Sequence, residues 1–253
     1  MILDKFKLDG KVAIVTGAST GLGQGISIAF AQAGAKVVGV DYVEMPETEE
    51  KIKAFGGEFL GVVANLMTIE PIDGIICAAI DKFGKIDILV NNAGIIRRED
   101  AIDFSEKNWD DVIAINQKTV FFFSQAVARK FMEQKSGGKI INIASMLSYQ
   151  GGIRVPSYTA SKSAVKGITM SMANEWAQYG INVNAIAPGY MATNNTAQLR
   201  ADAQRSEAIL DRIPAGRWGT PEDLQGAAVF LASEASDYVN GFTLAVDGGW
   251  LAR

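Results

Sequence analysis

The sequence predicts an α/β fold built on one doubly wound parallel sheet. Seven short runs rich in Val, Ile, Leu and Ala are apolar almost throughout, which is typical of strands buried on both faces. Longer segments with helical periodicity separate these runs, and such alternation builds right-handed βαβ units. No Pro- or Ser-rich linker, charge block or repeat divides the 253 residues. We therefore expect residues 1–253 to form a single domain.

The elements are predicted in chain order. Strands are expected at residues 11–16, 36–41, 59–64, 86–91, 139–144, 182–187 and 243–246. Helices are expected around residues 22–34, 69–83, 108–135, 157–179 and 221–233. A polar, helix-prone segment from about residue 191 to 214 interrupts the alternation, and we interpret it as a flap over the functional site.

Composition restricts the possible functions. The 24 basic and 28 acidic side chains give a net charge of −4 without a basic run, which disfavours a nucleic-acid partner. The absence of histidine excludes Ser-His-Asp catalysis and histidine-ligated metals, and we expect no metal site. Without a long apolar stretch or a signal-like N-terminus, a cytoplasmic protein with no membrane partner is expected. Cys77, in an apolar run, is expected to be buried.

A glycine-rich loop follows the first predicted strand. Residues 16–23 read TGASTGLG and open the first helix. Glycines at this spacing allow a tight turn and a close approach to a pyrophosphate at the helix N-terminus, although a plain turn is the alternative. The candidate cofactor-binding residues of the loop are Gly17, Ser19, Thr20, Gly21, Leu22 and Gly23.

Asp41 ends the second predicted strand, where an acidic residue can bind the ribose hydroxyls of a dinucleotide. Its carboxylate would repel a 2′-phosphate, and no Lys or Arg follows it directly. The sequence therefore predicts NAD rather than NADP as the cofactor.

Tyr158 and Lys162 start a predicted helix, and their spacing of four residues places both on one face. A hydride transfer to a ketone needs a proton donor at the oxygen, and the reverse reaction needs a base. A nearby ammonium group favours the phenolate form of a tyrosine. Ser145 lies 13 positions before Tyr158, just past a predicted strand, and Asn116 lies in the preceding long helix.

In order and spacing, these four residues resemble the Asn–Ser–Tyr–Lys tetrad of the short-chain dehydrogenase/reductase family. The glycine loop resembles the family's TGxxxGxG pattern, and the resemblance runs over essentially the whole chain, which implies a Rossmann fold. It implies that Tyr158 is the general acid/base and that Ser145 holds the substrate oxygen. It also implies that Lys162 lowers the pKa of Tyr158 and binds the nicotinamide ribose, while Asn116 holds a water linking Lys162 to solvent.

The resemblance implies further cofactor contacts. Asn65-Leu66 stands where the family usually has Asp before Leu or Val, so the expected contact with adenine loses its charge. Asn92, Ala93 and Gly94 belong to an NNAG motif that lines the cofactor cleft. Pro188-Gly189 is similar to the family's turn beside the nicotinamide, and Thr193 is the candidate for its carboxamide.

Three stretches, 92–100, 144–162 and 187–196, resemble family members that act on sugar acids. They imply the interconversion of 2-dehydro-3-deoxy-D-gluconate and its 2,5-diketo form in uronate catabolism. Arg98 and Arg154 are candidates for the substrate carboxylate, because a guanidinium binds a carboxylate bidentately. Gln150 and Tyr190 are candidates for the hydroxyls, beside Ser145 and Tyr158. Arg97 is expected to be solvated.

Three other functions stay open at this point. Gluconate 5-dehydrogenases are similar, and a 3-oxoacyl-thioester reductase is disfavoured because such enzymes usually prefer NADP. A redox-sensing NAD-binding module without turnover would be expected to lose Tyr158 or Lys162. The resemblance and the apolar segments 119–127 and 242–251 also imply a homotetramer. Trp109 and Phe121–Phe123 are expected in the core or at a subunit contact.

Overall fold

Seven parallel strands form one sheet in the computed structural model, which describes residues 1–253. The strands are β1 (Val12–Thr16), β2 (Lys36–Asp41), β3 (Phe59–Val63), β4 (Ile88–Asn91), β5 (Gly138–Ile143), β6 (Ile181–Pro188) and β7 (Thr243–Val246). Their order across the sheet is β3-β2-β1-β4-β5-β6-β7. The direction of winding reverses between β1 and β4, and the carboxyl ends of such strands border a ligand-binding crevice in doubly wound sheets. The predicted fold class is confirmed.

Nine α-helices connect and cover the strands. They are α1 (Gly21–Gln32), α2 (Pro46–Lys53), α3 (Ile72–Phe83), α4 (Glu106–Ile113), α5 (Thr119–Gln134), α6 (Pro156–Trp176), α7 (Ala197–Ala201), α8 (Ala203–Leu210) and α9 (Pro221–Ala232). A π-helical turn, Ala114–Lys118, joins α4 to α5. No helix is both long enough and apolar enough to cross a membrane, and no cluster of three metal-ligating side chains is present.

Successive residues of β1 supply two separate cores. Ala13 and Val15 pack with α1 and α9 on one face of the sheet, whereas Val12 and Ile14 pack with α3 and α5 on the other. All five residues of the strand are buried. Burial on both faces explains why the strand sequences are continuously apolar, since every position meets a core.

The sequence analysis missed one helix, and its expectation for Cys77 was wrong. Helix α2 was not predicted, because its eight residues are mostly charged and bury only Thr48 and Ile52. Cys77 is exposed, because α3 buries Ile72, Ile75, Ile76 and Ala79, a spacing that places residue 77 on the outer face. Among the aromatic residues expected in the core or at a subunit contact, Phe123 is fully buried, whereas Trp109 is 41% exposed.

Candidate active site

The glycine loop packs directly against the loop that follows β4. Gly17 has a φ of +68°, and a Cβ there would lie 2.7 Å from Nδ2 of Asn92. A Cβ on Gly23 would collide with the carbonyl oxygen of Gly17. Only glycine fits at these two positions, so the backbone amides at the start of α1 stay accessible to a ligand. A cradle of this kind fits the pyrophosphate of a dinucleotide.

Asn92 and Thr16 fix the relative position of the two loops. Nδ2 of Asn92 donates to the carbonyl oxygens of Thr16 and Gly17, at 2.8 and 3.2 Å. In return, Oγ1 of Thr16 accepts the backbone amides of Asn92 and Ala93, each at 2.9 Å. Four hydrogen bonds therefore hold the start of the NNAG motif against the glycine loop.

Asp41 lies beside the glycine loop and is 8% exposed. Its Oδ2 accepts the backbone amide of Ser19 at 3.0 Å, and its Oδ1 accepts that of Tyr42 at 2.8 Å. A carboxylate offers about four acceptor positions, so both oxygens can still accept a ligand hydroxyl. The residue both orders the loop and presents a negative charge at its edge.

Asn65 and Leu66 differ in their environment. Leu66 is buried, and its carbonyl oxygen accepts Oγ1 of Thr119. Asn65 is exposed, and its side-chain oxygen accepts the amide of Met67 at 3.0 Å. The Asn65 oxygen that was predicted to contact adenine therefore already accepts a hydrogen bond within its own turn.

Ser145, Tyr158 and Lys162 meet at the carboxyl end of β5. Oγ of Ser145, which is buried, accepts the amide of Leu147 at 3.1 Å. Nζ of Lys162 lies 5.5 Å from the centroid of the Tyr158 ring and donates to the carbonyl oxygen of Ile143 at 2.5 Å. The structure brings these three sequence-predicted residues together.

Burial shifts the pKa values of Tyr158 and Lys162. It raises the pKa of Tyr158, while the Ser145 hydroxyl and the positive charge of Arg98 oppose the rise. Burial also lowers the pKa of Lys162 to about 8. Both side chains are therefore biased toward their neutral forms, and added positive charge at the site would favour the phenolate.

Asn116 lies fully buried in the π-helical turn. Its Oδ1 accepts the amide of Ile95 at 2.8 Å, and its Nδ2 donates to Ile95 O at 2.9 Å and to Ser161 Oγ at 3.3 Å. The side chain joins the chain after the NNAG motif to α6, which carries Tyr158 and Lys162. π-Helical turns frequently occur at functional sites.

The turn after β6 closes the cleft from the opposite side. Gly189 donates its amide to Val246 O at 3.0 Å, and a Cβ there would lie 2.7 Å from the Cα of Asp247. A Cβ on Gly21 would lie 3.6 Å from Cγ2 of Thr193. The start of the 191–214 segment therefore packs against the glycine loop.

The remainder of this segment packs on the loop between Ser145 and Tyr158. Ile209 and Ile213 form a small buried cluster with Met146, Leu147 and Val155. Tyr190 packs edge-on against Trp250, with ring centroids 4.8 Å apart. Because they share this core, the segment and the loop are held in a defined relative position.

The candidate substrate residues have different environments. Nη2 of Arg98 donates to Asn195 O at 3.0 Å, and its charge reaches Tyr158. Arg154 instead pairs through Nε with Asp100 Oδ1 at 2.8 Å, and its side chain is 54% exposed. Arg97 is partly buried, with Nη2 3.8 Å from Asp111 Oδ2, whereas Arg98 is exposed. Gln150 accepts Nη2 of Arg212 at 3.5 Å.

The sequence analysis did not single out Arg205 and Arg212. Both lie in the 191–214 segment, and together with Arg98 they lower the pKa of Tyr190 against the rise caused by its burial. The available signal was only their positive charge within this polar segment, since α8 ends at Leu210 and Arg212 lies beyond it.

Comparison with known proteins gives consistent matches over the chain. A family model described as enoyl-(acyl carrier protein) reductase matches residues 17–251. The chain is 69% identical to 2-dehydro-3-deoxy-D-gluconate 5-dehydrogenase of Dickeya dadantii and 67% identical to that of Escherichia coli, over 100% of all chains. A crystal structure of a gluconate 5-dehydrogenase from Burkholderia cenocepacia, in complex with NADP and tartrate, is 40% identical. It superposes with a TM-score of 0.95 over 100% of both chains.

Proposed function

Because this chain belongs to the short-chain dehydrogenase/reductase family, we propose that it interconverts 2-dehydro-3-deoxy-D-gluconate and 3-deoxy-D-glycero-2,5-hexodiulosonate, with NAD as the cofactor. The observation that carries the proposal is the identity of 67–69% over the whole chain with two relatives of that name. Oxidation of a hydroxyl group follows from the family. The carbon oxidised, the cofactor and a place in uronate catabolism are our proposals.

Tyr158 would take the proton of the carbon-5 hydroxyl during oxidation and return it to the ketone oxygen during reduction. The Ser145 hydroxyl would donate a hydrogen bond to the same oxygen, where negative charge develops. The ammonium of Lys162, 5.5 Å from the Tyr158 ring, would favour the phenolate. Asn116 would act as a positioning residue through Ser161, in addition to any water it holds for Lys162.

NAD, when bound, supplies the hydride acceptor, and the protein orients it. The glycine loop would hold the pyrophosphate, Asp41 the adenosine ribose and Lys162 the nicotinamide ribose. The other proposed cofactor contacts are Asn65, Leu66, Asn92, Ala93, Gly94, Pro188, Gly189 and Thr193. The Burkholderia relative was crystallised with NADP, so the preference for NAD rests on the charge of Asp41 beside the loop.

The substrate would lie between Tyr158 and the 191–214 flap. Arg98 would bind the carboxylate, because its charge reaches Tyr158. Arg154 would have to exchange Asp100 for the substrate, so its pairing favours a role in holding the loop. Gln150 and Tyr190 would contact the hydroxyls. Tartrate, which the Burkholderia structure contains, is itself a hydroxy acid and is compatible with a site for such anions.

The rival function is that of a gluconate 5-dehydrogenase, favoured by the 40% identity to the Burkholderia enzyme. The two substrates differ at carbons 2 and 3, which are a ketone and a methylene in one case and two hydroxyl-bearing carbons in the other. Formation of NADH can be followed with the purified protein on both sugar acids, with NAD and with NADP. We expect kcat/KM to be highest for 2-dehydro-3-deoxy-D-gluconate with NAD. A higher value for gluconate would reverse the assignment.

We further propose that the chain assembles as a homotetramer. Met170 on α6 and Phe242 before β7 are 44% and 55% exposed. They belong to one surface, because a Cβ on Gly241 would lie 3.8 Å from the Cα of Met170. Apolar side chains of this kind are commonly buried between copies of a chain.

A further inference from the structure

The inner side of the glycine loop is held by hydrogen bonds to the rest of the fold. The amides of Gly17 and Ala18 donate to the carbonyl oxygen of Val40 at 2.7 and 3.3 Å. The carbonyl oxygen of Gly17 accepts Nδ2 of Asn92. The start of α1 has no side-chain cap, and the first amides of a helix have no intrahelical partner. They therefore remain for an anionic group.

The peptide group between Ala18 and Ser19 is bound at both ends. Its carbonyl oxygen, that of Ala18, accepts Oγ1 of Thr48 at 2.8 Å. Its amide, that of Ser19, donates to Oδ2 of Asp41 at 3.0 Å. The C=O and N–H of a trans peptide point in opposite directions, so the two side chains hold this group from opposite sides. Rotation of the peptide would break both bonds at once.

The next peptide group is oriented by Gln24, in the first turn of α1. Nε2 of Gln24 donates to Ser19 O at 3.1 Å and to Oγ1 of Thr48 at 3.0 Å. Its Oε1 accepts Nζ of Lys51 at 3.1 Å. Because the Ser19 carbonyl points toward Gln24, the Thr20 amide in the same peptide points away from it. That amide has no partner within the protein and remains for a ligand.

Thr48 contacts both peptide groups from α2. It is fully buried, and the only other buried residue of this helix is Ile52. A threonine hydroxyl has one proton to donate, which goes to Ala18 O, and the same oxygen accepts Nε2 of Gln24. A valine would have nearly the same shape and would bury no polar group. The hydroxyl therefore serves the glycine loop rather than the packing of α2.

We propose that Thr48 is a positioning residue for the dinucleotide. Its hydroxyl fixes the 18–19 peptide and, through Gln24, the direction of the Thr20 amide that would meet the pyrophosphate. The inference rests on the proposed function, in which the glycine loop holds that pyrophosphate. Without the hydroxyl, Ala18 O loses its donor and the loop is less well ordered. Cofactor binding would then have to order the loop, which weakens the affinity.

The test measures the binding of NADH by isothermal titration calorimetry, independently of turnover. Thr48→Val should raise the Kd of NADH about five- to thirtyfold, since a buried carbonyl loses its donor. Thr48→Ser should restore the Kd to within about threefold of the wild-type value. ADP-ribose, which has the pyrophosphate and lacks nicotinamide, should show the same rise. In turnover, the KM for NAD should rise by a similar factor, and kcat at saturation should change less than about twofold.

Ile52→Val is the matched control, because it weakens the packing of α2 and removes no hydrogen bond of the glycine loop. It should lower the midpoint of thermal unfolding of the cofactor-free protein and leave the Kd of NADH unchanged. An equal rise in Kd for Ile52→Val would overturn the proposal, because α2 would then act only through its packing. A Kd for Thr48→Val within about twofold of wild type, or no recovery in Thr48→Ser, would overturn it as well.

A double variant tests the route through Gln24. Thr48→Val and Gln24→Met remove the two ends of one hydrogen bond, so together they should raise the Kd less than the product of the single effects. Independent multiplying effects would overturn this route. NADPH is titrated beside NADH, because unaltered protein that binds only NADPH would overturn the proposed cofactor and still report the effect of Thr48. Unaltered protein that binds neither would overturn the proposed function itself.

Discussion

Nζ of Lys162 lies 5.5 Å from the centroid of the Tyr158 ring, one turn further along α6, and bonds to the carbonyl oxygen of Ile143. Both side chains depend on the same helix face for their position. Burial biases each toward its neutral form. Proton transfer at the site therefore depends on the charged forms of two poorly solvated side chains. The first two predictions concern Tyr158 and Lys162 in turn.

Tyr158→Phe should remove nearly all turnover and leave NADH binding largely intact. The ring keeps its packing, whereas the proton donor and acceptor is lost. Turnover is measured by NADH absorbance, and binding is measured by the change in protein fluorescence on titration with NADH. A variant that keeps a substantial fraction of the wild-type rate would show that another group transfers the proton.

Lys162→Met should abolish turnover and yet stabilise the cofactor-free protein at pH 7. A buried ammonium with its pKa lowered to about 8 costs free energy of folding, of the order of 3 kcal/mol at most. The lost bond to Ile143 reduces the net gain to about 1–2 kcal/mol.

The sign of this effect predicts its pH dependence. The folded state disfavours the ammonium form of Lys162. The free-energy cost of folding is therefore fully present below pH 8 and disappears as the pH rises toward 10.5, the ordinary pKa of lysine. The advantage of Lys162→Met in thermal unfolding should shrink over that range. A variant that is less stable than the wild type at pH 7 would show that the ammonium is well solvated or paired.

The seven strands and the grouping of Ser145, Tyr158 and Lys162 were predictable because each has a local signal. Continuous apolar runs mark buried strands, and the spacing from Ser145 to Tyr158 and Lys162 is fixed by one loop and one helical turn. The resemblance to a family supplied the roles, which spacing alone does not contain. Asn116 was found only through this resemblance.

Long-range contacts account for what the sequence analysis missed. Nothing near Arg154 in the chain indicates that Asp100 is its partner. Helix α2 is held by Thr48, whose hydroxyl donates to Ala18 O at 2.8 Å, rather than by a broad apolar face. Such pairings depend on the tertiary fold, which a periodic pattern does not specify.

Asp41 should determine the choice between NAD and NADP. Asp41→Asn removes the charge and keeps an acceptor for the Ser19 amide, whereas Asp41→Ala removes both. We expect Asn to raise the ratio of kcat/KM for NADP over NAD by about tenfold or more, since like-charge repulsion of the 2′-phosphate is lost. Asp41→Ala should also raise this ratio, but with a greater loss of total activity than Asp41→Asn, because the glycine loop loses its hydrogen bond to the side chain. A wild-type enzyme that already prefers NADP would contradict this prediction.

The subunit interface should include Met170 and Phe242. Light scattering at micromolar concentration should give about four times the 27.1 kDa chain mass, and Phe242→Glu should lower it by burying a charge between subunits. Ile102→Glu, at a residue 92% exposed on another surface, serves as the control and should not change the mass. A wild-type mass near that of one chain would exclude the tetramer.

The last prediction concerns Arg154, which the sequence suggested as a ligand of the substrate carboxylate. Its guanidinium is bound to Asp100 in the structure, and its carbonyl oxygen accepts the amide of Glu99 at 3.0 Å. Both contacts join the loop before Tyr158 to the loop that carries Arg98. Arg154 also has a φ of +64°, a conformation that costs about 1 kcal/mol or more outside glycine.

These contacts indicate that Arg154 supports the loop. Arg154→Ala should therefore lower kcat/KM for 2-dehydro-3-deoxy-D-gluconate and for its uncharged primary amide by similar factors, and Asp100→Ala should do the same. Arg154→Gly should be about 1 kcal/mol more stable than Arg154→Ala in thermal unfolding, because glycine adopts a positive φ without strain. If the loss were instead ten- to hundredfold on the acid and slight on the amide, Arg154 would leave Asp100 during the reaction. It would then bind the carboxylate directly, as the guanidinium chemistry first suggested.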